Sequence, residues 1–257
     1  TQFRKQSFAI MDISHLGEEG ARVDGVIGES ILSQYLVEVD YDNLKFLYVP
    51  DYVSSFIAAQ LARKVYRYQV DHICTQQQIT HAVMITMGGL LPGVLLHDHL
   101  AWTLNKNIPP INFGTMGVKY YAGPGQPLDR PEIIHPLSID VEDRVIGVVE
   151  DLVDLGGTAT FVEQYLSNER KAQRIVLIAP YLKSTGVLDK MEVIYFGHVP
   201  KDTWIITPRE KVETLIKRVP YWRDNGASLE ICEKNLLKIG YPQYLLDIYL
   251  RATYERG

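Results

Sequence analysis

Residues 148–160 read Val148-Val149-Glu150-Asp151-Leu152-Val153-Asp154-Leu155-Gly156-Gly157-Thr158-Ala159-Thr160, and this stretch decides the fold. Its apolar start predicts a buried strand ending at Val149, which delivers two adjacent carboxylates, Glu150 and Asp151, to the carboxyl end of that strand. Ionised carboxylates accept two or more hydrogen bonds, so the pair could hold the vicinal hydroxyls of a ribose. It could equally support a Mg²⁺ ion bound through ligand oxygens and water.

The second half of the same stretch predicts a phosphate site. A third acid, Asp154, precedes the pair Gly156-Gly157, which lets the backbone turn tightly with its N–H groups pointing inward. Thr158 then begins a helix, whose amino terminus carries positive partial charge and suits a phosphate. Strand, acidic pair, third acid, glycine pair and threonine together are more specific than any one of these features.

The residues on either side of this stretch predict an α/β fold with a parallel sheet flanked by helices. Strand and helix patterns alternate along the chain, an order typical of parallel sheets covered on both faces. Buried strands are expected at 82–85, 144–149 and 174–178, and helices at 52–68, 91–104 and 158–166. Ligands of such sheets bind beyond the carboxyl ends of the strands. A second glycine turn, Thr86-Met87-Gly88-Gly89, follows the strand that ends at Ile85 and therefore belongs to the same edge.

We divide the chain into three regions. Residues 1–50 form a strand-rich N-terminal segment, with strands expected at 7–12, 36–40 and 44–49. Residues 51–209 carry the α/β domain. Residues 210–257 form a helical C-terminal extension, with helices expected at 212–218, 228–239 and 242–254.

Composition narrows the class of protein. The formal net charge of -5 gives no general attraction to nucleic acid, so no nucleic-acid partner is expected. Two distant cysteines, Cys74 and Cys232, fit a reducing compartment and no disulfide scaffold. No apolar run reaches bilayer length and no signal-peptide core follows the first residues, so we expect a cytoplasmic protein without a membrane partner.

The stretch at residues 148–160 resembles the diphosphoribose-binding motif of type I phosphoribosyltransferases. The resemblance covers residues 52–209 and is closest to the 6-oxopurine (xanthine, guanine, hypoxanthine) branch. It implies transfer of a 5-phosphoribosyl group from 5-phosphoribosyl 1-diphosphate (PRPP) to a 6-oxopurine, with Mg²⁺ as cofactor and a dimer or tetramer as the assembly. The residues that it implies for binding PRPP and its phosphates are Glu150, Asp151, Leu155, Gly156, Gly157, Thr158, Met87, Gly88 and Gly89.

Three further elements follow in the order that the family has. A mobile loop of the family carries aromatic and basic residues; Lys119, Tyr120, Tyr121 and Arg130 fall in it. After the next strand, Lys183 matches the lysine that binds the purine 6-oxo group. The segment Asp202-Thr203-Trp204-Ile205 is similar to the base-binding segment, in which the aromatic ring stacks on the purine.

The resemblance also implies roles in catalysis and metal binding. In this resemblance Asp154 lies near N7 of the base as a general base or an electrostatic partner, while Lys119 and Arg130 close over the reacting ribose and contact pyrophosphate. Glu150 and Asp151 (directly or through water) and Asp202 are the residues implied for Mg²⁺.

Two positions depart from the family pattern. Met87 replaces the basic residue that precedes the paired glycines of the pyrophosphate loop, and Leu155 replaces a threonine of the phosphate turn. Backbone N–H groups can still bind both phosphates, but a lost cation weakens charge stabilisation on departing pyrophosphate.

These departures keep an alternative open, a non-catalytic protein of the same fold that senses nucleotide or PRPP. A third hypothesis, nucleic-acid binding through the helical tail, depends on Lys211, Lys217, Arg218 and Arg223. The competing interpretation of these four cations is a solvated helix face.

The N-terminal segment has a resemblance of its own. Residues 11–41, with Asp24-Gly25-Val26-Ile27-Gly28 at their centre, look like the C-terminal half of a bacterial retropepsin-like domain. Neither Asp-Thr-Gly nor Asp-Ser-Gly occurs in the chain, and aspartic proteases need two carboxylates that share a proton, so protease activity is not expected. A remnant, a docking or dimerisation element, and the end of a longer protein all remain open.

Overall fold

The structure is a computed structural model that describes residues 36–38, 45–102, 105–123, 126–154, 156–183 and 185–256, with the backbone alone at 36–38 and 120–130. Its strands are β1 Leu36–Glu38, β2 Lys45–Tyr48, β3 His81–Thr86, β4 Asn112–Gly123, β5 Gln126–His135, β6 Val145–Val149, β7 Leu152–Val153, β8 Arg174–Leu182, β9 Glu192–His198 and β10 Thr203–Ile206. Its helices are α1 Asp51–Asp71, α2 Leu90–Leu100, α3 Gly157–Gln164, α4 Lys211–Asp224, α5 Leu229–Ile239 and α6 Gln243–Glu255.

The main sheet confirms the predicted parallel α/β architecture. Among the described residues it contains seven strands, ordered β5-β4-β3-β6-β8-β7, with β9 also paired to β8. All its pairings are parallel except β4 with β5. Val149 at the end of β6 lies in register with Met84 of β3 and Ile178 of β8. The carboxyl ends of these three strands therefore meet at one edge.

Burial explains why these segments form the centre of the sheet. All five residues of β6 are buried, and eight of the nine in β8 are buried. Continuous apolar runs of this kind are typical of strands covered on both faces. The three expected strands are confirmed, and β8 extends four residues beyond the predicted end at Ile178.

The segment expected to be a mobile loop is a pair of strands. β4 and β5 form an antiparallel extension at the edge of the sheet, in which Lys119 lies opposite Glu132 and the backbone of Arg130 belongs to β5. The loop was expected from the family resemblance alone. An edge strand such as β5 tolerates the prolines of this segment, because one side of the backbone of an edge strand has no partner strand to hydrogen-bond.

A second, smaller sheet joins the two ends of the described chain. β2 pairs antiparallel with β1 and parallel with β10, so Trp204 lies in register with Phe46. Helices α4, α5 and α6 pack on this sheet around the buried Trp222. The three-part division of the chain stays a prediction. The retropepsin-like resemblance and the strand expected at 7–12 lie outside the described residues, apart from β1.

Basic residues of the tail contact other groups of the protein, and both interpretations of these cations stay predictions. The Lys211 ammonium lies 3.0 Å from the Asp51 carboxylate, and Arg223 donates to the carbonyl of Tyr254 at 2.7 Å. Lys217 pairs with Glu213. Within the described residues, no helix combines the length and apolar character needed to cross a membrane.

Candidate functional site

An open cleft of about 890 Å³ lies at the carboxyl edge of the main sheet. It brings together most of the residues that the sequence singled out, although they are spread over more than 100 positions. The predicted residues that line it are Met87, Gly88, Glu150, Asp151, Asp154, Gly156, Gly157, Thr158, Lys183, Trp204 and Ile205. Residues from four separate stretches of the sequence, all singled out by the resemblance, therefore line one cleft.

The glycine pair after β3 allows the loop to touch the end of β6. A Cβ on Gly88 would lie 2.5 Å from an Asp151 carboxylate oxygen and 2.6 Å from one of Glu150. A Cβ on Gly89 would lie 2.0 Å from the carbonyl oxygen of Val149. A Cβ on Gly89 would overlap the backbone of Val149, so contact between the two loops requires glycine at that position, whereas the atoms nearest Gly88 belong to the side chains of Asp151 and Glu150.

The acidic pair is electrostatically strained. Burial raises the pKa of Glu150 well above its usual range, and the neighbouring Asp151 carboxylate raises it further. Burial likewise raises the pKa of Asp151, while the Arg209 guanidinium lowers it. Because burial disfavours the ionised forms of both carboxylates, a ligand that donates hydrogen bonds or brings positive charge would favour their ionisation.

Arg209 is a residue of the cleft that the sequence analysis missed. Its guanidinium lies 3.7 Å from Asp151, 3.0 Å from Glu210 and 3.6 Å from Glu213. Burial raises the pKa of Glu210, and the nearby Asp151 carboxylate raises it further. Arg209 therefore links the acidic pair to the start of α4. The sequence contained a signal for Arg209 as a site residue, because it follows the base-binding segment by only four positions.

Asp154 and Lys183 face each other across the cleft. Their charged atoms are 3.8 Å apart, with the Lys183 side chain largely buried and the Asp154 side chain half exposed. Lys183 is fixed by its backbone as well, since its N–H donates to the carbonyl of Val153 at 2.8 Å. These contacts join the end of β7 to the loop after β8.

The phosphate turn has the expected geometry in its described part. Gly156 adopts a left-handed conformation with φ of 78°, which L residues rarely adopt, and it precedes the first turn of α3. No side chain caps the N–H groups of α3 within the described residues. Such uncapped N–H groups at a helix start, here at Gly157 and Thr158, suit an anion. Leu155 lies outside the described residues.

Trp204 and Ile205 reach the cleft from β10 of the small sheet. The indole N–H of Trp204 donates to the Thr214 hydroxyl at 3.1 Å. Helix α4 adds Glu213 and Lys217 to the lining, one helical turn apart on the same face. From the sequence, these two residues were expected to lie in an extension separate from the site.

Some predicted residues are not brought to the cleft. Lys119 is exposed on β4 and is absent from the described lining, as is Gly89 behind Gly88. The side chain of Arg130 lies outside the described part. Asp202 lies in the turn before β10, where its carboxylate is 3.2 Å from the Lys45 ammonium. The roles suggested for these residues stay predictions.

The donor set fits a hard cation only in part. No group of three or more His, Cys, Asp or Glu side chains in the described residues could hold a metal ion by itself. Glu150 and Asp151 supply two carboxylates in contact, which is the ligand chemistry that Mg²⁺ prefers. A Mg²⁺ ion here would therefore need oxygens from a bound ligand and from water.

Comparisons with known proteins were made against families, curated proteins and solved structures. No protein-family model matches the chain. Over 126 residues the chain is 28% identical to a xanthine-guanine phosphoribosyltransferase from Gluconobacter oxydans, covering 49% of this chain and 66% of that protein. The chain thus spans 66% of the length of the curated relative it matches.

Solved structures that are similar to part of the chain include two proteins. A purine phosphoribosyltransferase from Pyrococcus horikoshii has a TM-score of 0.46 and 22% identity, covering 63% of this chain and 92% of that one. A hypothetical protein from Neisseria gonorrhoeae with bound ppGpp has a TM-score of 0.47 and 17% identity, covering 77% and 98% respectively.

Proposed function

We propose that this chain is a purine phosphoribosyltransferase of nucleotide salvage, which transfers the 5-phosphoribosyl group of PRPP to a 6-oxopurine and releases pyrophosphate. The observation that carries the proposal is the single cleft, in which a carboxylate pair and a phosphate turn lie beside a lysine and a tryptophan. The 28% identity to a xanthine-guanine phosphoribosyltransferase supports the same reaction class.

On the donor side, defined as residues 86–89 and 150–158, the chain binds the phosphorylated ribose. The 5′-phosphate accepts hydrogen bonds from backbone N–H groups of the turn at Gly156 and Gly157. Glu150 and Asp151 accept hydrogen bonds from the ribose hydroxyls, and their negative charge stabilises the positive charge that develops on the ribose as its bond to pyrophosphate breaks. The loop at Gly88 receives the departing pyrophosphate.

On the acceptor side, defined as Lys183, Trp204 and Ile205, the chain binds the purine. The Lys183 ammonium donates a hydrogen bond to the 6-oxo oxygen. The amino group of a 6-amino purine cannot accept that hydrogen bond in the same way. The indole of Trp204 stacks on the ring, an interaction favoured by the polarisable faces of both groups. This combination selects a 6-oxopurine.

Asp154 handles the proton. Formation of the new bond to the ribose carbon leaves positive charge on the purine ring. The ring becomes neutral again by losing one proton. The half-exposed Asp154 carboxylate, next to Lys183, is placed to accept that proton and to pass it to solvent.

Glu150 and Asp151 would hold a Mg²⁺ ion together with oxygens of PRPP and water. Such an ion would supply positive charge that neutralises the diphosphate leaving group. Cytoplasmic location and a homo-oligomeric assembly stay predictions, as does the absence of a nucleic-acid partner.

One observation favours a second candidate, a nucleotide- or PRPP-sensing protein without catalysis. Met87 lines the cleft with 63% of its surface exposed, at the position where the family places a cation. A neutral side chain there leaves the leaving group with less stabilisation than the family provides.

A turnover assay separates the two candidates. The protein is incubated with Mg²⁺, PRPP and each of guanine, hypoxanthine, xanthine and adenine, and pyrophosphate is measured. Release with the oxopurines and not with adenine is the expected result. Tight binding of PRPP or nucleotide, with no release of pyrophosphate on any base, would support the sensing function and refute the transferase function.

A further inference from the structure

Trp204 is held in place by the C-terminal helical tail. Its indole N–H donates to the Thr214 hydroxyl at 3.1 Å. The guanidinium carbon of Arg218 lies over the indole ring, 4.3 Å from its centroid. Both partners belong to α4, the helix that follows the α/β domain in the sequence.

The Thr214 contact is itself rigid. Thr214 is buried, with 1% of its surface exposed, so its hydroxyl cannot exchange the indole for water. The Tyr241 hydroxyl donates to the carbonyl of Lys211 at 2.9 Å, which anchors the start of α4 close to Thr214. A buried donor that loses its acceptor is costly, so this bond fixes the orientation of the indole.

Arg218 lies among three aromatic rings. Besides Trp204, its guanidinium is 5.8 Å from the ring centroids of Phe46 and of Tyr221. Planar guanidinium groups stack on aromatic faces, and several faces around one cation limit its motion. The Lys217 ammonium also lies over the Trp204 ring, 5.8 Å from its centroid, so Arg218 is the nearer of the two cations. An aromatic ring has two faces, and Arg218 lies against one face of Trp204.

We infer that Thr214 and Arg218 are positioning residues for the acceptor purine. Thr214 sets the plane of the Trp204 indole, and Arg218 supports one face so that the purine stacks on the other. The tail is then part of base recognition, although none of its residues needs to touch the base. This inference rests on the proposed function.

Two binding measurements on the full chain test it, with GMP and ribose 5-phosphate as probes. The two ligands share the phosphorylated ribose, and GMP adds the base. Thr214→Val removes the acceptor with little change of shape and is expected to weaken GMP binding about fivefold, the usual worth of one such hydrogen bond. Ribose 5-phosphate binding is expected to stay unchanged, because the donor side keeps its contacts.

Conservative variants and a matched control accompany this change. Thr214→Ser keeps the hydroxyl and is expected to retain GMP affinity. Thr253→Val removes a buried threonine hydroxyl elsewhere in the same helical tail, on α6, and is expected to change neither ligand. Arg218→Met keeps the apolar stem without the guanidinium plane and is expected to weaken GMP selectively by about three- to tenfold.

The outcomes are distinct. Unchanged GMP affinity in both Thr214→Val and Arg218→Met would overturn the inference, as would equal weakening of both ligands, which indicates general loss of structure. Wild-type protein that binds GMP no better than ribose 5-phosphate would also overturn it, while leaving the donor side intact. Selective weakening of GMP in a protein that releases no pyrophosphate would support the inference and refute only the transferase.

Discussion

The donor and acceptor sides of the cleft are built in different ways. The donor side consists of two segments that directly follow the adjacent strands β3 and β6, and close contact with the Val149 carbonyl requires glycine at position 89. The acceptor side combines Lys183 after β8 with Trp204 in the small sheet, and α4 of the tail supports it. A site formed by backbone turns leaves a local trace in sequence, whereas a site formed by packing of distant segments does not.

The largest expected effect concerns Asp154, the donor-side residue that pairs with Lys183 of the acceptor side. Asp154→Asn removes the proton acceptor and keeps the shape, so kcat should fall by about 100- to 10,000-fold, the usual contribution of general base catalysis. Nucleotide binding should be largely retained. Steady-state kinetics and equilibrium binding of GMP measure the two quantities, and unchanged turnover would remove Asp154 from the mechanism.

A substitution in the donor side tests whether its glycines are structural. Gly89→Ala places a Cβ against the Val149 carbonyl and should lower the free energy of unfolding by about 2–3 kcal/mol, as overpacking of a rigid contact does. Gly226→Ala is the control, because Gly226 has φ of 91° but no neighbouring atom within 4 Å of the added carbon. Urea unfolding should show a smaller loss for Gly226→Ala, and equal losses would refute the contact argument.

The neutral position of the pyrophosphate loop offers a gain-of-function test. Met87→Lys adds a cation where pyrophosphate leaves, so kcat/KM for PRPP should rise by about three- to tenfold. Val94→Lys adds the same charge at a residue of similar exposure on α2 that is absent from the described lining of the cleft. An equal rise in both variants would indicate general charge attraction and not a specific pyrophosphate contact.

The smallest expected effect concerns stability and pH. Burial raises the pKa of Glu150 in the folded protein, so its protonated form is favoured by folding. Stability from this group is present below its unfolded pKa and is lost as pH rises towards the raised folded value. Glu150→Gln should therefore stabilise the protein by about 1 kcal/mol at neutral pH and flatten the pH dependence above about pH 4.

Urea unfolding at pH 4 and pH 8 with a chelator present measures this effect. Glu142→Gln is the control, because Glu142 is exposed and should leave stability unchanged. A loss of stability in Glu150→Gln at pH 8 would contradict the conclusion that burial disfavours the ionised form of Glu150 in the folded protein.

The sequence predicted the main sheet and the donor side well because their signals are local. An apolar strand followed by acids and glycines specifies both the turn and its place at the edge of a parallel sheet. Trp204 and Lys183 were identified through a resemblance, since a lone lysine or tryptophan carries no such local pattern.

The errors arose where structure depends on distant pairing. The loop expected at 119–130 came from the family resemblance, but β4 and β5 pair as strands, and β5 at the edge of the sheet accommodates Pro127 and Pro131. Glu213 and Lys217 were missed because α4 reaches the cleft through the pairing of β10 with β2, more than 150 residues earlier. Nothing in the composition of the tail indicates that contact.

A crystal structure of the protein with GMP tests the central claim most directly, because one ligand must span both sides of the cleft. The account predicts phosphate oxygens within about 3 Å of the backbone nitrogens of Gly157 and Thr158, a purine stacked on Trp204 and its 6-oxo oxygen at the Lys183 ammonium. A phosphate bound away from the turn at residues 156–158, or a base that does not contact Trp204, would contradict it.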